Sequence, residues 1–491
     1  MNRRDFLKRV SMSAATLCGA RAWGQAADAA EQPNILLIIA DDTTITELGC
    51  YGGSRVPTPN IDNLAAEGLR FRRAYVAMAM CVPCRHELYT GLYPMGSGAC
   101  WNHSTSRDGT KSICHYLGGL GYRVGLTGKC HAEPDGVFPF ERIKGFQPFC
   151  VHKKPVSRAD TAGIAEFMTR RDSQPFCLAV GLVDSHIPWT TGAPEQFDRA
   201  AVDLPPTLPD LPEVRNDYVK YLAEVAELDR NAGVVLKALE DAGKRNNTLV
   251  IFTSEQGAQW PGAKWTNWEA GLRTGFICRW PGRIAAGDTT DALVQYADVL
   301  PTLIEAAGGK VDDLDGASFL DVLLGKSGKH REYAYAMHNN IAAGPPYPIR
   351  SVTDGRLRYI RNLLPETEFI QKHMEESIHR NGHVYWQAWK AAAKEPGRAR
   401  ELFLRFRKRP AEELYDTAAD PKCLHNLAED EAFSDAKQRL SRKLDAWMEA
   451  EGDPGAALDT QEAFYPRSLR KLREDRKKTR KRKAGKNASR S

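Results

Sequence analysis

The chain has 491 residues, 42% hydrophobic and 26% charged, an ordinary globular balance long enough to bury a large core in more than one domain. No stretch of about 18 apolar residues follows the N-terminus, which excludes a transmembrane anchor there. The net charge of +6 conceals its distribution: residues 1–25 carry five Lys/Arg against one acid and residues 467–491 thirteen against two, leaving the body at −9.

Residues 1–26, MNRRDFLKRVSMSAATLCGARAWGQA, read as a targeting signal. Arg3-Arg4 precede Phe6-Leu7-Lys8, a short weakly apolar stretch follows, and Gly24 and Ala26 suit cleavage. The segment resembles a twin-arginine signal. That implies the twin-arginine export machinery as a partner and a folded, soluble protein delivered to the periplasm or beyond. Cys18 lacks the surroundings of a lipid-anchored cysteine. Export favours disulfides among the eleven cysteines and argues against nucleic acid as a partner, but the spacing names no pairs.

The body opens with PNILLIIADD, a continuous apolar run that reads as a strand buried on both faces. TPNIDNLAAEGLRF follows as a helix, with Thr58 as N-cap and Pro59 at the first helical position. KSICHYLGGLGYRVGLTGK reads as helix, glycine-rich turn and strand, and PFCLAVGLVDSH as another buried strand. NDYVKYLAEVAELDRNAGVVLKALEDAG is a long helix with Tyr221, Val225, Leu228, Ala232, Val235 and Leu239 on one apolar face. It leads into the buried strand NTLVIFTSEQG. This alternation predicts an α/β catalytic domain over 33–330, a doubly wound, mostly parallel sheet flanked by helices. Ligands bind such sheets beyond the carboxyl ends of the strands.

From about 331 the texture changes. YAYAMHNN, YPIRSVTDGRLRYIRN with Asp354-Gly355 as a hairpin turn, and EELYDTAADP predict antiparallel strands, and SDAKQRLSRKLDAWMEAEG a closing helix. The result is a smaller C-terminal antiparallel-sheet subdomain over 331–460 with a helical insert over 366–410. The insert carries His379, Arg380, His383, Trp386 and Trp389, which either pack on the catalytic domain or reach a substrate. The tail, 467–491, is disordered by composition, and is either a solvated end or a grip for a polyanion.

Asp41-Asp42 end the first strand. Adjacent carboxylates repel, so they are stable together only beside a cation or at the solvated rim of the sheet; a solvated turn is less attractive at the mouth of an apolar strand, and paired hard oxygens suit calcium or magnesium. Ser254-Glu255-Gln256-Gly257, Gly128-Lys129-Cys130-His131 and Asp184-Ser185-His186 close other strands. CVPCRHELYTG, beginning at Cys81, reads two ways. Cys-x-x-Cys suggests a redox pair or half a metal site; Cys-x-Pro-x-Arg suggests a cysteine destined for other chemistry.

ADD, CVPCRHELYTG, GKCH, DSHIPW, TSEQG and AKWTNWEAGLR stand in the order and approximate spacing of the type I sulfatases of the alkaline phosphatase superfamily. The resemblance spans about 33–460, and GKCHAEPDGVFPF is most similar to the heparan N-sulfatase branch. It implies a sulfuric ester hydrolase acting on sulfate esters, or N-sulfate, of a sulfated carbohydrate. Cys81 would be oxidised to formylglycine by a formylglycine-generating or sulfatase-maturating enzyme, with Pro83 and Arg85 completing the recognition core and Cys84 in the usual place of serine. Calcium would be held by Asp41, Asp42, residue 81, Glu255 and Gln256. Arg85 would orient the modified side chain, and Lys129 and Lys264 would bind sulfate oxygens. His131 would deprotonate the second hydroxyl of the hydrated aldehyde, and His186 would protonate the leaving oxygen.

Glu255-Gln256 departs from the family's usual Asp followed by Asn or His. Each side chain is one methylene longer, so the ligand geometry must shift or a ligand be lost, which calcium tolerates better than magnesium. Three rivals share the sequence signals: a phosphodiesterase or phosphonate monoester hydrolase of the same superfamily, an unmodified binding protein on this scaffold, and a Cys81–Cys84 redox module carrying a disulfide.

Overall fold

The computed structural model describes residues 32–150, 161–170, 174–375 and 384–488. The targeting signal and His379, Arg380 and His383 lie outside the described residues. The strands, in chain order, are β1 (Asn34–Ala40), β2 (Leu69–Tyr75), β3 (Arg123–Gly128), β4 (Glu141–Arg142), β5 (Phe176–Gly181), β6 (Thr248–Ser254), β7 (Phe276–Arg279), β8 (Asp288–Gln295), β9 (Ala334–His338), β10 (Ile349–Thr353), β11 (Leu357–Asn362) and β12 (Glu412–Asp416).

The first eight form one sheet in the order β4-β3-β5-β1-β6-β7-β2-β8. All its pairings are parallel except those of β7, which runs antiparallel to both neighbours. The expected doubly wound α/β sheet is therefore present. Its centre shows why continuous apolar runs are needed. Along β1, Ile35, Leu37 and Ile39 enter one core while Leu36, Ile38 and Ala40 enter the core on the opposite face. Successive side chains of a strand point to opposite faces, so a strand covered on both sides can afford no polar position. The helix Pro212–Asp241 lays Leu228, Ala232, Val235 and Leu239 on the second face, and all six expected apolar positions are buried.

The remaining strands form an antiparallel sheet in the order β12-β11-β10-β9. Gly355 turns the β10–β11 hairpin at φ +88°, a left-handed conformation open to glycine, and Asp354 Oδ1 accepts from Leu357 N at 2.8 Å. The closing helix Ser434–Glu451 buries Leu440, Leu444 and Trp447, and Trp447 stacks on Tyr335 of β9 at 5.2 Å.

A buried ion pair joins the two sheets. Arg358 of β11 donates to Glu269 Oε2 from Nε at 3.0 Å and from Nη2 at 2.8 Å, and Tyr75 of β2 donates to Glu269 Oε1 at 2.9 Å. Arg358→Ala strands a buried carboxylate and should destabilise the fold by about 3–5 kcal/mol. A denaturant midpoint lowered at unchanged slope is the expected reading; an unmoved midpoint would show that the pair is not a structural link.

Two expectations change and one alternative is decided. Thr58 occupies the N-cap position, but its hydroxyl accepts from Gly49 N at 2.8 Å and donates to Asp62 at 3.1 Å, so it caps no helix N–H. The tail is not disordered where described: Leu469–Ala488 is a helix. In the insert, Trp386 and Trp389 are fully buried against each other, and Trp386 also against Phe403 and Phe406, so they pack and are not aimed at a substrate. Trp389→Ala should therefore cost about 3–5 kcal/mol of stability. It should depress turnover of an aryl sulfate and an oligosaccharide alike; a loss confined to the oligosaccharide would contradict the structural role.

Candidate active site

Four adjacent parallel strands, β3, β5, β1 and β6, deliver polar residues at their carboxyl ends: Lys129 and His131, then His186, then Asp41 and Asp42, then Glu255 and Gln256. Lys264 arrives on the loop after β6. Cys81 is the first residue of the helix Cys81–Thr90, every residue of which is buried. Arg85 follows one helical turn later, on the same face as Cys81.

These residues touch. Cys81 Sγ lies 3.7 Å from Asp41 Oδ1, 3.8 Å from Asp42 Oδ1 and 3.2 Å from Lys264 Nζ. Lys264 Nζ donates to both Asp42 oxygens at 2.7 and 2.6 Å, and Lys129 Nζ donates to Asp41 Oδ2 at 2.6 Å. Gln256 Nε2 donates to Asp42 Oδ1 and lies 3.8 Å from Cys81 Sγ. Arg85 Nε donates to Glu255 Oε1 at 2.5 Å and Nη1 to the Lys129 carbonyl at 2.8 Å. His186 Nε2 stands 3.5 Å from Asp42 Oδ2, while its Nδ1–H donates to the Ile187 carbonyl. A second proton on this imidazole would thus sit on Nε2, facing the cluster.

The chain holds uncommon backbone to make this convergence. Asp42, His131, Ser185 and Trp265 are non-glycine residues at φ +55°, +49°, +69° and +66°, each on or beside a site residue. Such conformations cost on the order of 1–3 kcal/mol each and persist only where surrounding structure enforces them. Part of that enforcement is visible at Ser185, whose hydroxyl donates to the Asp41 carbonyl at 2.8 Å. Its N–H donates to Glu224 at 3.1 Å.

Three carboxylates face three cations out of water. Burial opposes ionisation of Asp41, but Lys129, His186, a hydrogen bond with Glu255 and Arg85 together outweigh it and hold the carboxyl well below its usual range. Asp42 and Glu255 stay raised by burial despite Lys264 and Arg85 respectively. Burial also pushes the Cys81 thiol up and, with the Lys129 charge, keeps His131 neutral.

The donor set fits a hard cation. Asp41, Asp42, Cys81 and His186 can each bring one ligand atom within 4.8 Å of the others. Glu255 Oε2 and Gln256 Oε1 are buried acceptors without a hydrogen-bond partner. A half-turn of the Gln256 amide exchanges its nitrogen for that oxygen at no steric cost. Glu255 is divided: Oε1 accepts from Arg85, while Oε2 stands 3.9 Å from Lys129 Nζ. Cys84 turns elsewhere, its Sγ 3.0 Å from the Glu255 carbonyl, and Cys81 and Cys84 are both free thiols. The redox module finds no disulfide here.

Sequence reasoning missed His103, whose ring lies 5.6 Å from His131, and Glu224, which braces the His186 loop. Neither ends a strand. The one visible signal was an acid inside an otherwise apolar helix face. A cavity of about 730 Å³ opens over Lys129, His131 and His103.

The Sulfatase family profile matches residues 33–309, and the profile of the C-terminal part of N-sulphoglucosamine sulphohydrolase matches residues 262–363. The chain belongs to the sulfatase family. An ulvan-active sulfatase of Formosa agariphila is 32% identical over 430 residues, which cover 86% of this sulfatase and 81% of that one. A solved protein in complex with its substrate D-glucosamine-2-N,6-O-disulfate shares the fold, with a TM-score of 0.64, 22% identity, and coverage of 86% of this sulfatase and 99% of that chain. So does the phosphonate monoester hydrolase of Agrobacterium radiobacter, with a TM-score of 0.64, 20% identity, and coverage of 85% and 96%. Fold alone does not separate sulfate from phosphonate; the family match and the ulvan-active relative favour sulfate. This sulfatase is a sulfuric ester hydrolase, and no helix among its described residues is long and apolar enough to cross a membrane.

Proposed function

We propose that the chain is an exported sulfatase that removes sulfate, as O-ester or N-sulfate, from a sulfated carbohydrate, using a formylglycine made from Cys81 and a bound calcium. The observation that carries this reading is the placement of Cys81. Its Sγ meets Asp41, Asp42 and Lys264 at the N-terminus of a buried helix, where backbone N–H groups favour an anion. The saccharide class is supported by relatives named for ulvan and for N-sulphoglucosamine.

An aldehyde hydrate at residue 81 would supply the attacking oxygen, and calcium would supply positive charge that favours its ionised form. Asp41, Asp42 and Gln256 would hold the ion with residue 81, and Glu255 would join them through Oε2, the oxygen that Arg85 leaves free. Lys129 and Lys264 present two buried ammoniums to sulfate oxygens, stabilising charge that grows in the transition state. Arg85, fixed between Glu255 and the Lys129 carbonyl, positions the residue 81 turn. His186 can deliver a proton from Nε2 to the leaving oxygen. His131, kept neutral, can accept a proton as sulfate departs.

Cys81 is 1% exposed, so a maturating enzyme must act before the fold closes. That order suits export of an already folded protein through the twin-arginine machinery.

The rival phosphodiesterase or phosphonate monoester activity is tested side by side. With matched aryl esters, kcat/KM for sulfate should exceed that for phosphate diester and phosphonate by at least about 100-fold, some 2.7 kcal/mol of transition-state preference. The reverse order would assign the rival activity.

A further inference from the structure

The basic tail has a place in the fold. We infer that the terminal helix Leu469–Ala488 forms one wall of the substrate cleft, and that Arg473 and Lys477 bind a second anionic group of a polyanionic saccharide. This inference rests on the sulfatase reading for what is cleaved, but not for what is bound.

The helix start is docked on the loops that carry the site. Leu469 N donates to the His103 carbonyl at 2.9 Å, Thr105 Oγ1 donates to the Arg467 carbonyl at 3.0 Å, and Ser104 and Ser468 form an antiparallel bridge. Two turns further, Arg476 Nη2 donates to Glu133 at 3.1 Å and to Asp135 at 3.0 Å, just beyond His131. These contacts fix the first two turns against the catalytic domain.

Two cavities meet there. The cavity of about 730 Å³ over Lys129 and His131 ends at His103, Leu469 and Arg473. A second, of about 610 Å³, starts from the same three residues and runs on past Phe464, Tyr465, Arg470 and Lys477. Sharing these three lining residues, the cavities adjoin, one over Lys129 and the other along the helix.

The charges along it are not all spent within the protein. Arg470 pairs with Glu474 at 3.2 Å and Lys471 with Asp475 at 2.7 Å. Arg473 and Lys477 are exposed and have no carboxylate partner among the described residues. Four positions apart, they share one helix face. The field of Arg473 reaches His103, which burial first, then Lys129, Lys264 and Arg473, hold down to about 4. Tyr465, 39% exposed, adds an aromatic surface of the kind that accepts a sugar ring. A helix merely solvated by its charge would not need its first turns docked at the mouth of a cationic pocket. An anion spanning that pocket and this face gains at both ends.

The test uses Arg473→Ala/Lys477→Ala, two exposed positions whose loss leaves the fold intact. Binding of a heparin-derived octasaccharide is measured by fluorescence anisotropy on protein that also carries Cys81→Ala, so that hydrolysis plays no part. Affinity should fall about tenfold, with a shallower dependence on salt. Unchanged affinity would overturn the inference, as would a larger loss for anionic phosphatidylglycerol vesicles, which would make the helix a membrane contact. An unsulfated polygalacturonate octamer distinguishes the anion: a loss for heparin alone assigns sulfate, and equal losses assign any anionic group. In the uncrippled enzyme, kcat/KM for a multiply sulfated oligosaccharide should fall about tenfold through KM, a larger loss than for a small aryl sulfate. If no sulfate is released from any substrate yet the binding loss stands, the sulfatase reading fails and the subsite survives.

Discussion

Cys81→Ala should abolish turnover, by a factor on the order of 10⁴–10⁶, while changing stability by no more than about 1 kcal/mol. The magnitude follows from the role: residue 81 would carry the covalent chemistry, and what remains without it is binding by Lys129 and Lys264. Small stability cost follows from the contacts, since Cys81 Sγ makes only long approaches to Asp41, Asp42 and Gln256, and a nearer one to Lys264. Cys84 is the control. Its Sγ donates to the Glu255 carbonyl at 3.0 Å, a bond that a serine hydroxyl can replace, so Cys84→Ser should stay within about an order of magnitude of full activity. A dead Cys84→Ser beside an active Cys81→Ala would reverse the assignment of the two cysteines.

Chelation of divalent cations should remove turnover, and calcium should restore it better than zinc, because the oxygens of Asp41, Asp42 and Gln256 form a hard donor set. Calcium at about 100 times its Kd should also stabilise the Cys81→Ala protein by about 2.7 kcal/mol, a readout independent of catalysis. Asp42→Ala should weaken calcium binding more than Gln256→Ala, since it removes a charge and not a neutral amide. It also leaves Lys264 buried without its carboxylate, so binding should be read by calorimetry on folded protein. Full activity in a verified metal-free preparation would contradict the calcium proposal.

The site was legible where strand chemistry wrote it. β1, β3, β5 and β6 are short apolar runs that stop abruptly at polar residues, and the sheet brings those stops side by side. What lay between the stops was less legible. β2 carries Arg70, Arg72 and Arg73, whose charged heads interrupt the apolar pattern that Leu69 and Phe71 begin. β7 has four residues, too few to show a period, and its antiparallel direction depends on the loop that brings Lys264 to the site. The turn of Glu255 toward Arg85 is a choice of rotamer that no spacing encodes.

The tail shows a different limit. Composition alone predicts that thirteen cations in 25 residues repel one another into disorder. The prediction fails where partners distant in sequence are available: Leu469 and Ser468 meet the 103–105 loop, and Arg476 meets Glu133 and Asp135. Charge repulsion within a segment is overcome once enough of it is docked.

Mass spectrometry of the Cys81-containing peptide, taken from enzyme active on a sulfated saccharide, tests the central proposal most directly. The account predicts an aldehyde at residue 81: a peptide lighter than the cysteine form by the loss of H₂S against the gain of one oxygen, and trapped by a hydrazine reagent. Fully active enzyme whose residue 81 remains an unmodified thiol would contradict it.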